Sequence, residues 1–201
     1  LVFVPASDGN GAPYASLGFS VQDSAGAFDT APNTLTLSVT PRPDAAVIGG
    51  QASGATVEDS TLIATGTLTV VDPDAGEAAF VAQAAVASAH GTFSINAAGV
   101  WTYSLNNTDP AVQALGAGQT LPAETFTVAT IDGSTQVVTI SIAGTDDAPV
   151  ISAGTGAITE DQAPISGTLT ATDVDNPALA FVASSQAGAL GALTLTTAGV
   201  W

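Results

Sequence analysis

The chain has 201 residues, 18 of them acidic and one basic, and it contains no cysteine. A net charge of −17 repels nucleic acid and anionic membrane surfaces, since both need Lys or Arg to neutralise phosphate. With neither cysteine nor lysine, no disulfide and no lysine–asparagine isopeptide bond braces the fold, and no stretch reaches the roughly 18 apolar residues of a membrane span.

The same charge repels itself, so compactness benefits from bound cations. Apolar residues make up 46% of the chain but aromatics only 5%. That balance predicts thin cores in which Phe80, Phe93, Trp101, Tyr103 and Phe126 carry much of the packing.

Taken in chain order, residues 1–43 read as the second half of a domain, because Leu35-Thr36-Leu37-Ser38-Val39 matches Val138-Thr139-Ile140-Ser141-Ile142. Leu1-Val2-Phe3-Val4 alternates as Thr102-Tyr103-Ser104-Leu105 does, so one chain's start is able to continue a sheet beyond Trp201 of another. Residues 44–146 form one complete unit. Period-two alternation marks strands at Gly66–Val70, Thr92–Ile95, Val100–Leu105, Glu124–Val128 and Val137–Ile142, where threonine interleaves with apolar residues. Asn96-Ala97-Ala98-Gly99 joins two of these as a tight hairpin, and Ile131-Asp132-Gly133-Ser134 is a second turn. Ala78–Ala89 is alanine-rich, but its counterpart Ala178–Leu190 carries Gly188 and no helical stripe, so both are expected as strand and loop. Asp109 as N-cap, Pro110 as first helical residue and Gly116 as stop predict one short helical turn. Residues 147–201 read as the first half of a further unit.

The units repeat. Gly99-Val100-Trp101 returns as Gly199-Val200-Trp201, Gly66–Thr69 as Gly167–Thr170, and Asp44–Ile48 as Asp147–Ile151. Spacings of 103 to 100 positions exceed solenoid periods and fit one sandwich domain of about 100 residues.

Acidic residues recur in the same register. Asp146-Asp147, Glu160-Asp161 and Asp173-Val174-Asp175 repeat the plan of Asp44, Glu58-Asp59 and Asp72-Pro73-Asp74. Calcium takes six to eight hard oxygens, several from carboxylates, and Asp-x-Asp on an extended loop points two of them one way. Magnesium demands stricter geometry, and zinc wants His or Cys. Strand-end turns account for single aspartates, whereas recurrence of the whole set favours calcium; which carboxylates share an ion stays open. Arg42 and Pro43 stand where Thr145 and Asp146 stand at the other junction, so the first junction is expected to bind calcium weakly or not at all.

Catalysis finds little support. His90 is the sole histidine and reads as a solvated loop residue, and no Gly-x-Ser-x-Gly turn or phosphate-cradling loop occurs. Carboxylate pairs hydrolyse glycosides only within a cleft, which small-residue sandwiches rarely provide. Trp101 reads as core rather than as a carbohydrate platform. Asn106-Asn107-Thr108 matches a glycosylation acceptor.

Gly91-Thr92-Phe93, Gly99–Tyr103, Ala111–Leu115, Asp132-Gly133 and Gly144-Thr145-Asp146-Asp147-Ala148-Pro149-Val150 together resemble the VCBS repeat of very large bacterial surface and secreted proteins. Residues 1–43, with Gly9-Asn10-Gly11 and Phe19–Ser24, are similar to the cadherin-like repeats of the same RTX-type adhesins. The resemblance implies an all-β fold of tandem immunoglobulin- or cadherin-like β-sandwiches, type I export, and a structural or adhesive role at the bacterial surface, in biofilm or in extracellular fibres. It implies Ca2+ shared between linker aspartates and the following Asp-x-Asp, here Asp146, Asp147, Asp173 and Asp175, then Asp44, Asp72 and Asp74. Pro43-Asp44-Ala45-Ala46 departs from the family's Asn-Asp-Ala-Pro linker. The implied partners are neighbouring repeats and identical chains end to end, without nucleic acid or membrane insertion. The competing readings are a self-assembling filament or matrix subunit and an accessory module of a secreted carbohydrate-active enzyme. No pattern in the chain specifies a host or surface ligand.

Overall fold

A computed structural model describes residues 2–74 and 76–201. The first segment is an antiparallel hairpin of β1 (Gly11–Phe19) and β2 (Asn33–Val39), which among the described residues pair only with each other. Leu17 lies opposite Leu35, and Ala15 opposite Leu37. Leu1 falls outside the described residues; Val2–Val4 are exposed and belong to no strand.

The middle of the chain builds two facing sheets. One runs in the order β3 (Val47–Gly50), β5 (Ile63–Val71), β8 (Val100–Leu105), β7 (Gly91–Ile95), β6 (Gln83–Ala87), with every pairing antiparallel. The other sets β4 (Ser53–Val57) parallel to β10 (Thr135–Ala143), and β10 antiparallel to β9 (Glu124–Ala129). Alternation decides which side chains meet between them. In β8, Trp101, Tyr103 and Leu105 are buried while Val100 is exposed; in β10, Val138, Ile140 and Ile142 point into the same core.

The rings carry the packing. Phe93 stacks on Phe126 with centroids 4.4 Å apart and planes 9° from parallel, and on Trp101 at 6.2 Å. Trp101 Nε1 donates to the Gln51 carbonyl at 2.7 Å, so the indole buries without an orphaned donor. Small residues make room for it: a β-carbon at Gly66 would overlap the Trp101 ring, and one at Gly54 would meet it at 2.8 Å.

Turns follow local chemistry. Asn96 Oδ1 accepts from Ala98 and Val100 N–H at 3.0 Å, and Gly99 adopts the positive φ of 83° that closes the β7–β8 hairpin. The single helical turn α1 (Pro110–Gln113) is capped by Asp109, whose carboxylate accepts from Ala111 N–H at 2.8 Å. Within the alanine-rich stretch, residues 83–87 form edge strand β6.

Beyond the second linker lie two antiparallel strand pairs: β11 (Val150–Ile151) with β12 (Ala171–Thr172), and the short hairpin of β13 (Ser184–Gly188) with β14 (Gly191–Leu195). Trp201 and Gly167 exchange both backbone hydrogen bonds, and a β-carbon at Gly167 would again crowd the indole. The tryptophan seat is thus repeated. Among the described residues no helix is long and apolar enough to cross a membrane.

Candidate metal centre

Two acidic cradles form, one at each linker, and both use the same backbone device. At the second linker, Asp173 Oδ1 accepts from Asp175 N–H at 3.2 Å and from Asn176 N–H at 3.1 Å, turning the Asp-x-Asp loop on itself. Asp175 Oδ2 then accepts from the linker N–H of Asp147 at 3.3 Å. At the first linker Asp74 N–H donates to Asp72 Oδ1 at 2.7 Å, and Asp44 N–H donates to Asp74 Oδ2 at 2.8 Å. Each Asp-x-Asp loop therefore grips its linker aspartate through the backbone and keeps carboxylate oxygens in reserve.

The second cradle draws its remaining acids from the middle unit. Strand β4 runs toward this linker and delivers Glu58 and Asp59 there, with Asp59 in a turn at φ 55°. One carboxylate oxygen from each of Glu58, Asp59 and Asp147 lies within 4.8 Å of the others. Glu58 is fully buried; Gln113 Nε2 donates to it at 2.7 Å and the linker N–H of Thr145 at 3.4 Å. Asn107 fixes Asp59 by accepting from its N–H at 3.0 Å and donating to its carboxylate at 2.6 Å. Asp146 accepts from Asn176 Nδ2 at 3.2 Å.

This grouping differs from the order of acids along the chain. Glu58 and Asp59 do not join Asp44, Asp72 and Asp74 at the first linker but cross to the second, because β4 spans the sandwich. Glu160 and Asp161 are exposed and join neither described cluster. At the first linker, Asp72, Asp74 and Glu77 bring one oxygen each within 4.8 Å. Asp8, Arg42, Asp44 and Asp74 line a cleft beside them. Glu77 was invisible to a repeat comparison because Asn176-Pro177-Ala178 holds no matching acid.

Electrostatics at the second cradle is hostile without a cation. Burial pushes the Glu58 carboxyl up, with Asp147 and Asp59 adding to the effect. Burial likewise raises Asp147, followed by the charge of Asp59. The close approach of the Asp173 and Asp175 carboxyls raises Asp175 and lowers Asp173. Buried oxygens are left without partners: Asp147 Oδ2 and Asp175 Oδ1 at the second cradle, Asp72 Oδ2 at the first. Buried acceptors of this kind normally find a donor. The orphaned oxygens, and a donor set consisting wholly of hard oxygen, suit calcium.

Two further groups support the scaffold. Asp132, in the β9–β10 turn, accepts from the first linker's Ala46 N–H at 2.9 Å and from Ser134 Oγ at 2.6 Å, and it also bonds Thr130 Oγ1. These donors, Ala46 first, hold its carboxyl far below the usual range. His90 is half-buried rather than freely solvated: its Nδ1 lies 2.9 Å from Asp109 Oδ2, and its backbone N–H donates to Glu124 Oε1 at 2.8 Å. It ties the β6–β7 turn to α1 and β9.

A family model described as the bacterial cadherin-like domain matches residues 43–144. No curated protein matches the chain.

Proposed function

The chain belongs to the bacterial cadherin-like domain family, and on that footing we propose that it is a calcium-stiffened repeat segment of an adhesive protein displayed outside the bacterial cell. Its units are residues 1–43, 44–146 and 147–201, and its immediate partners are neighbouring repeats.

The carrying observation is the unpartnered buried oxygen on Asp147, whose carboxylate is set against Glu58 and Asp59 from the other side of the linker, together with a second such oxygen on Asp175, which also accepts the Asp147 N–H. Glu58 and Asp59 belong to the middle unit, Asp147 to the linker, and Asp173 and Asp175 to the unit beyond. Calcium would supply the positive charge that offsets their repulsion. Oxygens from three consecutive elements would then be drawn to one point, and the angle between the units would be fixed.

At the first linker the candidate ligands are Asp72, Asp74 and Glu77, beside Asp44. Arg42 supplies a permanent positive charge in the neighbouring cleft. This junction accordingly needs less cation and binds it more weakly than the second. Binding to the folded state alone stabilises by about 2.7 kcal/mol at a hundredfold excess over Kd, a large share of the roughly 5–15 kcal/mol that holds a domain together.

Isothermal titration of calcium into chelator-stripped protein tests the reading. The expected result is a strong site abolished by Asp147→Asn, plus weaker binding abolished by Asp74→Asn. Absence of any calcium heat, or binding unaffected by Asp147→Asn, would reject it.

A further inference from the structure

The chain holds six asparagines, at positions 10, 33, 96, 106, 107 and 176. An asparagine loses its side-chain amide without an enzyme when the backbone nitrogen of the next residue reaches its Cγ, so the next residue decides how readily this happens. Asn176 precedes Pro177, which has no N–H to supply. Asn33 and Asn107 precede threonines, whose branched β-carbons crowd the approach. Asn96 and Asn106 precede Ala97 and Asn107. Asn10 alone precedes a glycine, Gly11, which places no β-carbon beside its nitrogen.

The other five are also held in place. Asn33 Nδ2 donates to Asp29 at 3.1 Å, and Asn176 Nδ2 to Asp146 at 3.2 Å. Asn96 Oδ1 accepts two backbone N–H groups, and Asn106 Oδ1 accepts the N–H and the hydroxyl of Thr108. Asn107 bonds Asp59 through both ends of its amide. Among the described residues, the side chain of Asn10 has one contact, from Nδ2 to the Asp8 carbonyl at 3.5 Å, too long to restrain it. Asn10 is exposed. Gln119 and Thr120, on the matching approach to β9 in the complete middle unit, are exposed as well, so exposure belongs to this position of the fold.

The surroundings give such a reaction a consequence. Asn10 lines the cleft of about 260 Å³ that Asp8, Arg42, Asp44 and Asp74 also line. Asp44 and Asp74 are the two aspartates joined across the first linker. A carboxylate at position 10 adds a negative charge and a hard oxygen to the junction whose sequence is poorer in acid.

We propose that Asn10 is a self-modifying residue, converted to an aspartyl group that strengthens the first junction's hold on calcium. The Gly11 nitrogen bonds to Asn10 Cγ, the Cγ–Nδ2 bond breaks, and Nδ2 departs as ammonia carrying the proton that Gly11 gave up. The succinimide left behind is reopened by water at either carbonyl carbon. The new carboxylate then sits on the side chain, as aspartate, or on the main chain, as isoaspartate. Both products gain a negative charge, and water is the only co-reactant. The modification stands by itself, while its effect on calcium rests on the reading of the first linker as a weak cation site.

Ageing the protein for days at mildly alkaline pH, then mapping its peptides by mass spectrometry, tests the modification. The Asn10 peptide is expected to show the amide-to-acid mass change, partly as isoaspartate, well ahead of the peptides holding the other five asparagines. Asn10→Gln protein, aged alongside, is expected to keep its amide there. Calorimetric titration of fresh Asn10→Asp protein tests the consequence. It is expected to bind calcium at the first junction about tenfold more tightly than wild type, since ligand charge tunes such sites over decades. Adding Asp74→Asn is expected to abolish that gain. An Asn10 that keeps its amide, or loses it no faster than the other asparagines, overturns the modification. An Asn10→Asp protein that binds calcium as wild type does overturns the effect on the junction. Absence of calcium binding in every variant is instead the failure of the cation reading, and it removes the effect on the junction while leaving the peptide map to decide the modification.

Discussion

Asp175 Oδ2 accepts the backbone N–H of Asp147 at 3.3 Å, which joins the second linker to the loop of the following unit through the main chain. One oxygen of Asp175 is thereby committed to architecture and the other, Oδ1, is buried with no donor. Asp175→Asn retains a side-chain oxygen for the Asp147 N–H but removes a charge. The calcium-dependent gain in stability at the second junction, about 2.7 kcal/mol at a hundredfold excess over Kd, is expected to fall below about 1 kcal/mol. Paired calorimetric melts in calcium and in chelator measure it, and an undiminished gain would count against the cradle.

Glu58→Gln is expected to change sign with the cation. Burial raises the Glu58 carboxyl, so the stability tied to its protonated form is present below its unfolded pKa and lost as pH rises through the folded value. At neutral pH in chelator, Glu58→Gln therefore melts higher than wild type, and the difference closes on acidification. In calcium the order reverses, because a ligand charge is missing. Melts at two pH values with and without calcium decide the matter.

Asp132 behaves in the opposite sense. Its carboxyl is held low by the donors Ala46, Ser134 and Thr130, so its contribution is complete above the unfolded value of about 3.9. That contribution is lost as pH falls through the folded value. Asp132→Asn is expected to lower the melting temperature at pH 7 and to converge on wild type in strong acid. Parallel acid limbs for the two proteins would show that the latch to Ala46 is not felt.

Gly66→Ala tests the tryptophan seat. A β-carbon there overlaps the Trp101 indole, so the ring must leave its place between β5 and β4. Overpacking of this kind costs about 1–3 kcal/mol, and lost contact with Gln51 adds an unpaired donor. Chemical denaturation with a red shift in tryptophan emission is expected; an unshifted, fully stable variant would contradict the packing.

Strands were readable from the chain because half-buried sheets impose period two: Trp101–Leu105 alternates apolar and polar residues at every position. Asn96–Gly99 and Asp109–Pro110 were readable because capping and turn chemistry is local. The cradles were legible only as a set of acids. Asp-x-Asp spacing identified Asp72 with Asp74 and Asp173 with Asp175, but the path of β4 across the sandwich decides that Glu58 and Asp59 meet Asp147. No short-range pattern encodes that path. Glu77 lacks a repeat partner, and Asp132 looked like an ordinary turn residue until the linker folded onto it. His90 looked solvated because its partners, Asp109 and Glu124, are 19 and 34 positions away.

Small-angle X-ray scattering of the protein, in chelator and in calcium, tests most directly whether opposed carboxylates at the linker convert a hinge into a strut. Calcium is expected to lengthen the particle and to replace a flexible-chain profile with that of a rigid rod, and Asp147→Asn is expected to abolish the change. Superimposable curves under both conditions would contradict the account.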